Sequence, residues 1–179
     1  MELQKVLETR RSIRAYEPGH QVEKAQIEEL IQAAICAPSW KNSQTARYYV
    51  AMSPEMKERI RTECLPEINR IKVAEASVLI VSTFVSHISG FERDGQPTNE
   101  AGEGWGFYDL GLHNENLLLK ARDMGLDTLV IGIRDAEKLR SVLSIPEEEV
   151  VGPVIAVGYR AVNPDMPKRK EVAEITKFF

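Results

Sequence analysis

Arg10, Arg11 and Arg14 place three guanidiniums within five residues, with the hydroxyl of Ser12 among them. Like charges this close repel unless an anion or an acidic partner sits between them. A guanidinium is a planar fork that matches two phosphate oxygens, and a serine hydroxyl adds a further donor. Each charge-assisted hydrogen bond of that kind contributes roughly 1.5–3 kcal/mol. A bound phosphate is therefore one reading of the cluster. The other is a solvated helix end, where basic side chains offset the negative pole of the backbone dipole. A second basic run, Lys168-Arg169-Lys170, lies near the opposite end of the chain and by itself reads as a solvated tail.

A second segment is polar in a different way. Pro38-Ser39-Trp40-Lys41-Asn42-Ser43-Gln44 brings hydroxyl, amide and aromatic groups into seven residues. A carboxamide carries both a donor and an acceptor, which suits a heteroaromatic ring edge on which the two alternate. The plain alternative is a polar turn, in which Ser and Asn bond their own backbone. The two cysteines, Cys36 and Cys64, and the three histidines, His20, His87 and His113, are scattered, so they make neither a disulfide framework nor a metal site. Cys36 lies beside an apolar helical stripe and is expected in the core. His87 and His113 are expected to serve surface or packing.

These groups need elements to hold them. Leu3, Val6 and Leu7 share one face of a helix over 2–9. After the Pro18-Gly19 turn, Ile27, Leu30, Ile31, Ala34 and Ile35 keep a helical period, which should end by Ala37 because Pro38 disfavours helix before it. Arg47–Met52 reads as a strand. Ser53-Pro54-Glu55 then caps a helix running to about Cys64, with a break at Pro66. Ser77–Phe84 is a β-branched apolar run typical of a strand buried on both faces. From Ser86 to about Gly106 the chain is polar and glycine-rich without periodicity, and a loop of that length is commonly functional. Tyr108–Met124 reads as an apolar helix stopped by Gly125, followed by a strand over Thr128–Ile133, a helix from Asp135 to Leu143 and a strand at Val154–Val157. Helices alternating with strands give a layered α/β or α+β fold.

Composition bounds the function. The 179 residues fit one domain, large enough to bury a core without staples. A net charge of −4 argues against a nucleic-acid or anionic-membrane binder. The first fourteen residues are charged from residue 2 and lack the apolar region of a signal peptide. No stretch approaches 18 uninterrupted apolar residues. A soluble, cytoplasmic protein is expected.

Three separated segments now join. Arg10-Arg11-Ser12-Ile13-Arg14, Ala37–Gln44, and Asn69-Arg70-Ile71-Lys72 before the apolar strand resemble the FMN-dependent nitroreductase family. So do Tyr108-Asp109-Leu110-Gly111, Asn116–Leu119, Ala121–Thr128 and Val151-Gly152-Pro153 to Gly158-Tyr159. The resemblance runs from about residue 7 to the end, apart from the loop 86–105.

That resemblance implies a single nitroreductase-like domain over 1–179. Its fold would be α+β, with a central mixed or antiparallel sheet flanked by helices. It implies a homodimer with FMN at the interface, in which the tail 164–179, and Val172–Phe179 above all, crosses to the partner. Arg10, Arg11, Ser12 and Arg14 would hold the FMN phosphate and ribityl chain, joined by Arg169 with Lys168 or Lys170. Pro38, Ser39, Trp40, Asn42 and Gln44 would approach the same flavin from the partner subunit. Asn69 and Lys72 would meet the ring, and Val130, Ile131 and Gly132 would offer backbone groups near its N5. The flavin would carry the chemistry, with no catalytic side chain: hydride from NAD(P)H, then transfer to a nitroaromatic, a quinone or a related conjugated acceptor. A non-catalytic flavin carrier or sensor, or a flavin-consuming or dehalogenating enzyme, would use the same scaffold. The segment 86–106 would cover the open flavin face, with Phe91, Trp105 and Phe107 either stacking there or packing locally. Three residues depart from the family's pattern: Trp40 where a small residue is frequent, Thr45 where proline is common, and Ile133 where a glycine often follows Gly132. Trp40 would narrow or stack over the substrate face.

Overall fold

In a computed structural model describing residues 1–179, the apolar run becomes strand β2 (Val78–Val85), buried along nearly its whole length. Alternation sends its side chains to two separate cores. Leu79 and Val81 join Ile13, Ile60, Leu65, Leu129 and Leu139 on one face. Val78 and Ile80 join Ile27, Leu30, Leu117, Ala121 and Leu126 on the other. A strand sandwiched in this way is the centre of a three-layer molecule. Strands β1 (Ala46–Ala51), β3 (Asp127–Ile131) and β4 (Glu149–Gly158) complete a sheet of order β1-β2-β4-β3, antiparallel throughout. The fold is α+β.

Helices α2 (Lys24–Ile35) and α5 (Gly104–Asp123) cover the second core. The first is closed by α3 (Pro54–Arg59), a wide π turn at Ile60–Cys64 and α6 (Ala136–Leu143). Shorter helices α1 (Leu3–Thr9), α4 (Glu67–Lys72) and α7 (Val172–Ile175) lie at the periphery. Local sequence explains several boundaries. The Ser53 hydroxyl accepts from Met56 N–H with Pro54 at the first helical position. The Asp135 carboxylate accepts from Lys138 N–H at the start of α6. α2 stops at Ile35, ahead of Pro38. No helix is long and apolar enough to cross a membrane.

The structure departs from the sequence reading at three places. Cys36 is exposed and free, because α2 has ended and the buried stripe is only Ile27, Leu30 and Ala34; Ile35 is exposed as well. β4 begins at Glu149, five residues early, and passes Gly152 and Pro153 where the register against β2 shifts, the kind of irregularity that admits proline in a strand. α5 begins at Gly104, so Trp105 and Phe107 are helical and the loop ends earlier than expected. Glycine weakens the helical signal there, yet packing requires it. A Cβ on Gly106 would stand 2.2 Å from Cε2 of the buried Phe84 ring.

Gly106→Ala therefore sets a propensity gain of about 1 kcal/mol against overpacking of a ring that cannot withdraw. The overpacking term dominates, and urea unfolding should show a net loss of about 1–2 kcal/mol. A variant as stable as the parent would contradict the packing.

Candidate functional site

The arginine segment is stitched to the sheet before it can bind anything. Ile13 N–H donates to Thr128 O at 2.9 Å, and Ser12 bridges Thr128 in parallel at the outer edge of β3. Glu17 N–H reaches Tyr159 O at 2.9 Å and Ala161 N–H reaches Ala15 O at 3.0 Å. Ile13 and Tyr16 are buried anchors, so Ser12 and Arg14, on either side of Ile13, stay at the surface. Just upstream, Arg122 Nε donates to Thr9 Oγ1 at 3.2 Å and an Arg160 amine to Thr9 O at 3.3 Å. Both arginines converge on the buried carboxylate of Asp127. Arg160 hydrogen-bonds both of its oxygens, which raises the guanidinium's pKa, and Arg122 lies 3.5 Å away. The sequence reading missed this support, although Asp127 lay inside a quoted motif.

The cationic residues of both termini then line one cavity of about 110 Å³: Arg10, Arg11, Ser12, Arg14 and Arg169, with Pro164, Asp165 and Pro167. Lys168 does not line it, so the register of the second basic run rests on Arg169. Arg10 has one long ion pair, 3.8 Å to Glu115. Arg11, Arg14 and Arg169 donate only to backbone carbonyls, of Glu8 and Arg10, of Ser12, and of Pro167. The Nε of Arg11 is buried with no partner at all. Repulsion among such charges is on the order of 1–2 kcal/mol per pair in a surface dielectric, and Asp165 is the only carboxylate in the lining. This donor set fits a dianionic phosphate.

A second polar group stands farther along β3. Asn69, 7% exposed, donates from Nδ2 to Ile133 O at 3.1 Å and accepts from Lys72 Nζ at 3.2 Å. From Thr128 to Ile133 a strand advances about 17 Å, a span for an elongated ligand. Between these points Val130 and Gly132 are exposed, whereas the Ile131 side chain turns into the core and only its backbone is available.

The amide-rich loop lies elsewhere in the same chain. None of Pro38, Ser39, Trp40, Asn42 or Gln44 lines the arginine cavity. Gln44 borders a different cleft of about 380 Å³, with Ile31, Ile35, Arg47, Tyr48 and His113. Lys41, Asn42 and Gln44 have φ of 45°, 57° and 51°. For L-residues this left-handed backbone costs roughly 1–2 kcal/mol each, least for Asn. The Trp40 indole is committed to Trp105, with centroids 4.8 Å apart, so it stacks within the chain. Trp105 also donates to Asn99 and meets Tyr108 edge-on, and Phe91 rests on His87. Of the three loop aromatics, Phe107 alone stays half exposed, its ring edge against Phe84.

His113 and Tyr48 were given no site role, yet both ring nitrogens of His113 and the Tyr48 hydroxyl are buried without partners. Burial pushes the Tyr48 hydroxyl's pKa up. Burial also lowers the His113 pKa, with Asp109 opposing. The one sequence signal was position: His113 follows Asp109 by four residues on α5, hence on the same face. An imidazole held below its ordinary value of 6.5 binds protons more weakly folded than unfolded. Stability must therefore fall as pH drops through that value. Between about pH 7 and 5, His113→Gln should lose less stability than the parent in urea titrations; parallel curves would show that the ring is not held neutral.

Comparison with known proteins follows the same geometry. The model of the nitroreductase family matches residues 7–85 and 66–159. A candidate NADH dehydrogenase/NAD(P)H nitroreductase of Archaeoglobus fulgidus is 30% identical over 159 residues, covering 87% of this chain and 83% of that protein. Two solved structures share the fold. A gut-bacterial enone reductase of fatty acid saturation has a TM-score of 0.87 at 22% identity, over 99% of this chain and 97% of that one. The FMN complex of a candidate nitroreductase from Exiguobacterium sibiricum has 0.82 at 20%, over 100% and 98%.

Proposed function

The chain belongs to the nitroreductase family, and from that premise we propose that it is an FMN-dependent oxidoreductase working as a homodimer, with NAD(P)H as donor and a conjugated acceptor. The observation that carries the reading is the arginine cavity. Three guanidiniums without a carboxylate partner converge with Ser12 in a chain of net charge −4. The FMN-complexed relative and a Staphylococcus epidermidis relative named as a candidate NAD(P)H:FMN oxidoreductase support the cofactor and the donor. The enone reductase supports a conjugated acceptor.

Bound FMN would supply the two-electron chemistry, taking hydride from a reduced nicotinamide and giving it to the acceptor in a separate stage. The chain's own residues do the holding and tuning. Arg10, Arg11, Ser12, Arg14 and Arg169 bind the phosphate. Asn69 and Lys72 meet the ring edge, and the ammonium of Lys72 favours the negative charge that arrives there on reduction. Val130, Ile131 and Gly132 present backbone beside it. Pro38, Ser39, Trp40, Asn42 and Gln44 reach the flavin of the neighbouring subunit, which agrees with their distance from the cavity in their own chain. The tail supports the dimer: Val172, Ile175, Phe178 and Phe179 are all exposed, and an apolar stretch of this kind marks a surface for a partner. β1 is also an edge strand, with no further strand paired on its outer side. The segment 86–103 would cover the flavin face, though it is more structured than an open loop, with a Phe91–Pro97 bridge and a Glu92 N–H to Gln96 O bond.

The purified protein should be yellow or take up FMN, and should oxidise a reduced nicotinamide when a nitroaromatic or quinone is supplied. A colourless protein that cannot be reconstituted ends the proposal, and a flavin that no nicotinamide reduces would mark a carrier or sensor. Replacing both Arg10 and Arg14 with Ala removes at least two charge-assisted bonds, so FMN should dissociate at least about a hundredfold more readily; unchanged retention would place the phosphate elsewhere. Lys72→Ala should lower the flavin potential by about 20–40 mV, equivalent to roughly 1–2 kcal/mol for two electrons. An unshifted potential removes its role.

A further inference from the structure

One buried carboxylate ties the amide loop to the segment 86–103. Asp109 on α5 is 3% exposed and is paired with no cation. Its Oδ2 accepts from the backbone N–H of Trp40 at 2.9 Å and from the Ser89 hydroxyl at 2.7 Å. Ser89, buried as well, lies 2.8 Å from Ser43 Oγ and 3.4 Å from Thr45 Oγ1. With Ser89 donating to Asp109, its oxygen is left to accept from Ser43 and Thr45. A chain of hydroxyls therefore ends on one carboxylate oxygen, and each bond polarises the next.

The loop needs such a clamp. Left-handed backbone at Lys41 and Gln44 brings those residues no local gain, and conformations of that kind persist only where the surroundings over-determine them. Ser39 contributes from inside the loop, its hydroxyl accepting from Gln44 N–H at 3.0 Å. The Asp109–Ser89 pair contributes from outside. Of its three partners, Trp40 gives a backbone N–H and Ser43 and Thr45 give hydroxyls, and Thr45 stands where the family commonly has proline. A proline at 45 would have no hydroxyl to give, so the Thr45 branch of the network departs from the family's common pattern.

We propose that Asp109, acting through Ser89, is a positioning residue that fixes the left-handed turn of Trp40–Gln44 and thereby presents Asn42 and Gln44 to the flavin of the neighbouring subunit. The proposal rests on the flavin reading above.

The test compares Asp109→Ala, Asp109→Asn and Ser89→Ala with the parent by three readouts. The first is the circular-dichroism signal of the coupled Trp40 and Trp105 indoles, calibrated with Trp40→Phe. The second is the FMN dissociation constant, and the third is the melting temperature. Asp109→Ala should lose the indole signal and bind FMN at least tenfold more weakly while still melting cooperatively. Asp109→Asn, which keeps an acceptor oxygen in place, should recover most of both, and Ser89→Ala should fall between. A lower melting temperature with indole signal and FMN affinity unchanged would reduce Asp109 to a packing residue and overturn the proposal. If Asp109→Ala does not fold, Ser89→Ala decides, and full retention of signal and affinity there overturns it equally. A parent that binds no FMN defeats the flavin reading and this proposal together, whereas a parent and variants that bind alike defeat only this one.

Discussion

Guanidiniums from both ends of the chain repel one another, and the fold holds them together with only a long Arg10–Glu115 pair and Asp165 to offset them. Arg11, Arg14 and Arg169 are tied to backbone carbonyls, which orient a cation but do not neutralise it. The opposing force is burial. Ile13 and Tyr16 sink into the core on either side of Arg14, and the Thr128 and Tyr159 carbonyls fix the backbone between them. The same sheet edge is steadied by Asp127, which takes up the charge of Arg160 and Arg122 and leaves Arg11 and Arg14 without a carboxylate partner. A site built in this way stays strained until an anion arrives, and binding relieves the repulsion as well as forming new bonds.

The polar groups that would meet a flavin are divided between two regions. Arg10–Arg14, Asn69 and Lys72 follow β3, whereas the amide loop opens beside α2 and α5. Within one chain the two line different cavities. The proposed two-fold assembly would resolve the separation, and the exposed aromatic tail and the outer edge of β1 are surfaces that it would cover. The loop's left-handed turn belongs to the same arrangement. Its strain is accepted where side chains must project outward, and a buried carboxylate behind it supplies the restraint.

Much of this was legible in the sequence because local rules and tertiary packing agreed. The apolar run at 77–84 read as a doubly buried strand, and Ser53-Pro54 and Asp135 announced their helices. The rest was hidden where packing overrode local preference. Gly106 reads as a loop residue until the Phe84 ring is seen against it. Pro153 shortened the apparent β4 because the sequence does not reveal a register shift. Cys36 sat on a helical stripe that ends one residue too soon. The arginine motif was visible, but the roles of Asp127 and Asp109 were not. A buried acid with a distant partner leaves no periodic trace, and its meaning depends on contacts between residues tens of positions apart.

The central claim is that the clamp recognises a phosphate rather than a ring. The most direct measurement is the ratio of dissociation constants for FMN and riboflavin, which differ only in that group. If two or more charge-assisted bonds are made to it, FMN should bind at least about a hundredfold more tightly, with the advantage shrinking as salt is raised. Equal affinities, unresponsive to salt, would contradict the account.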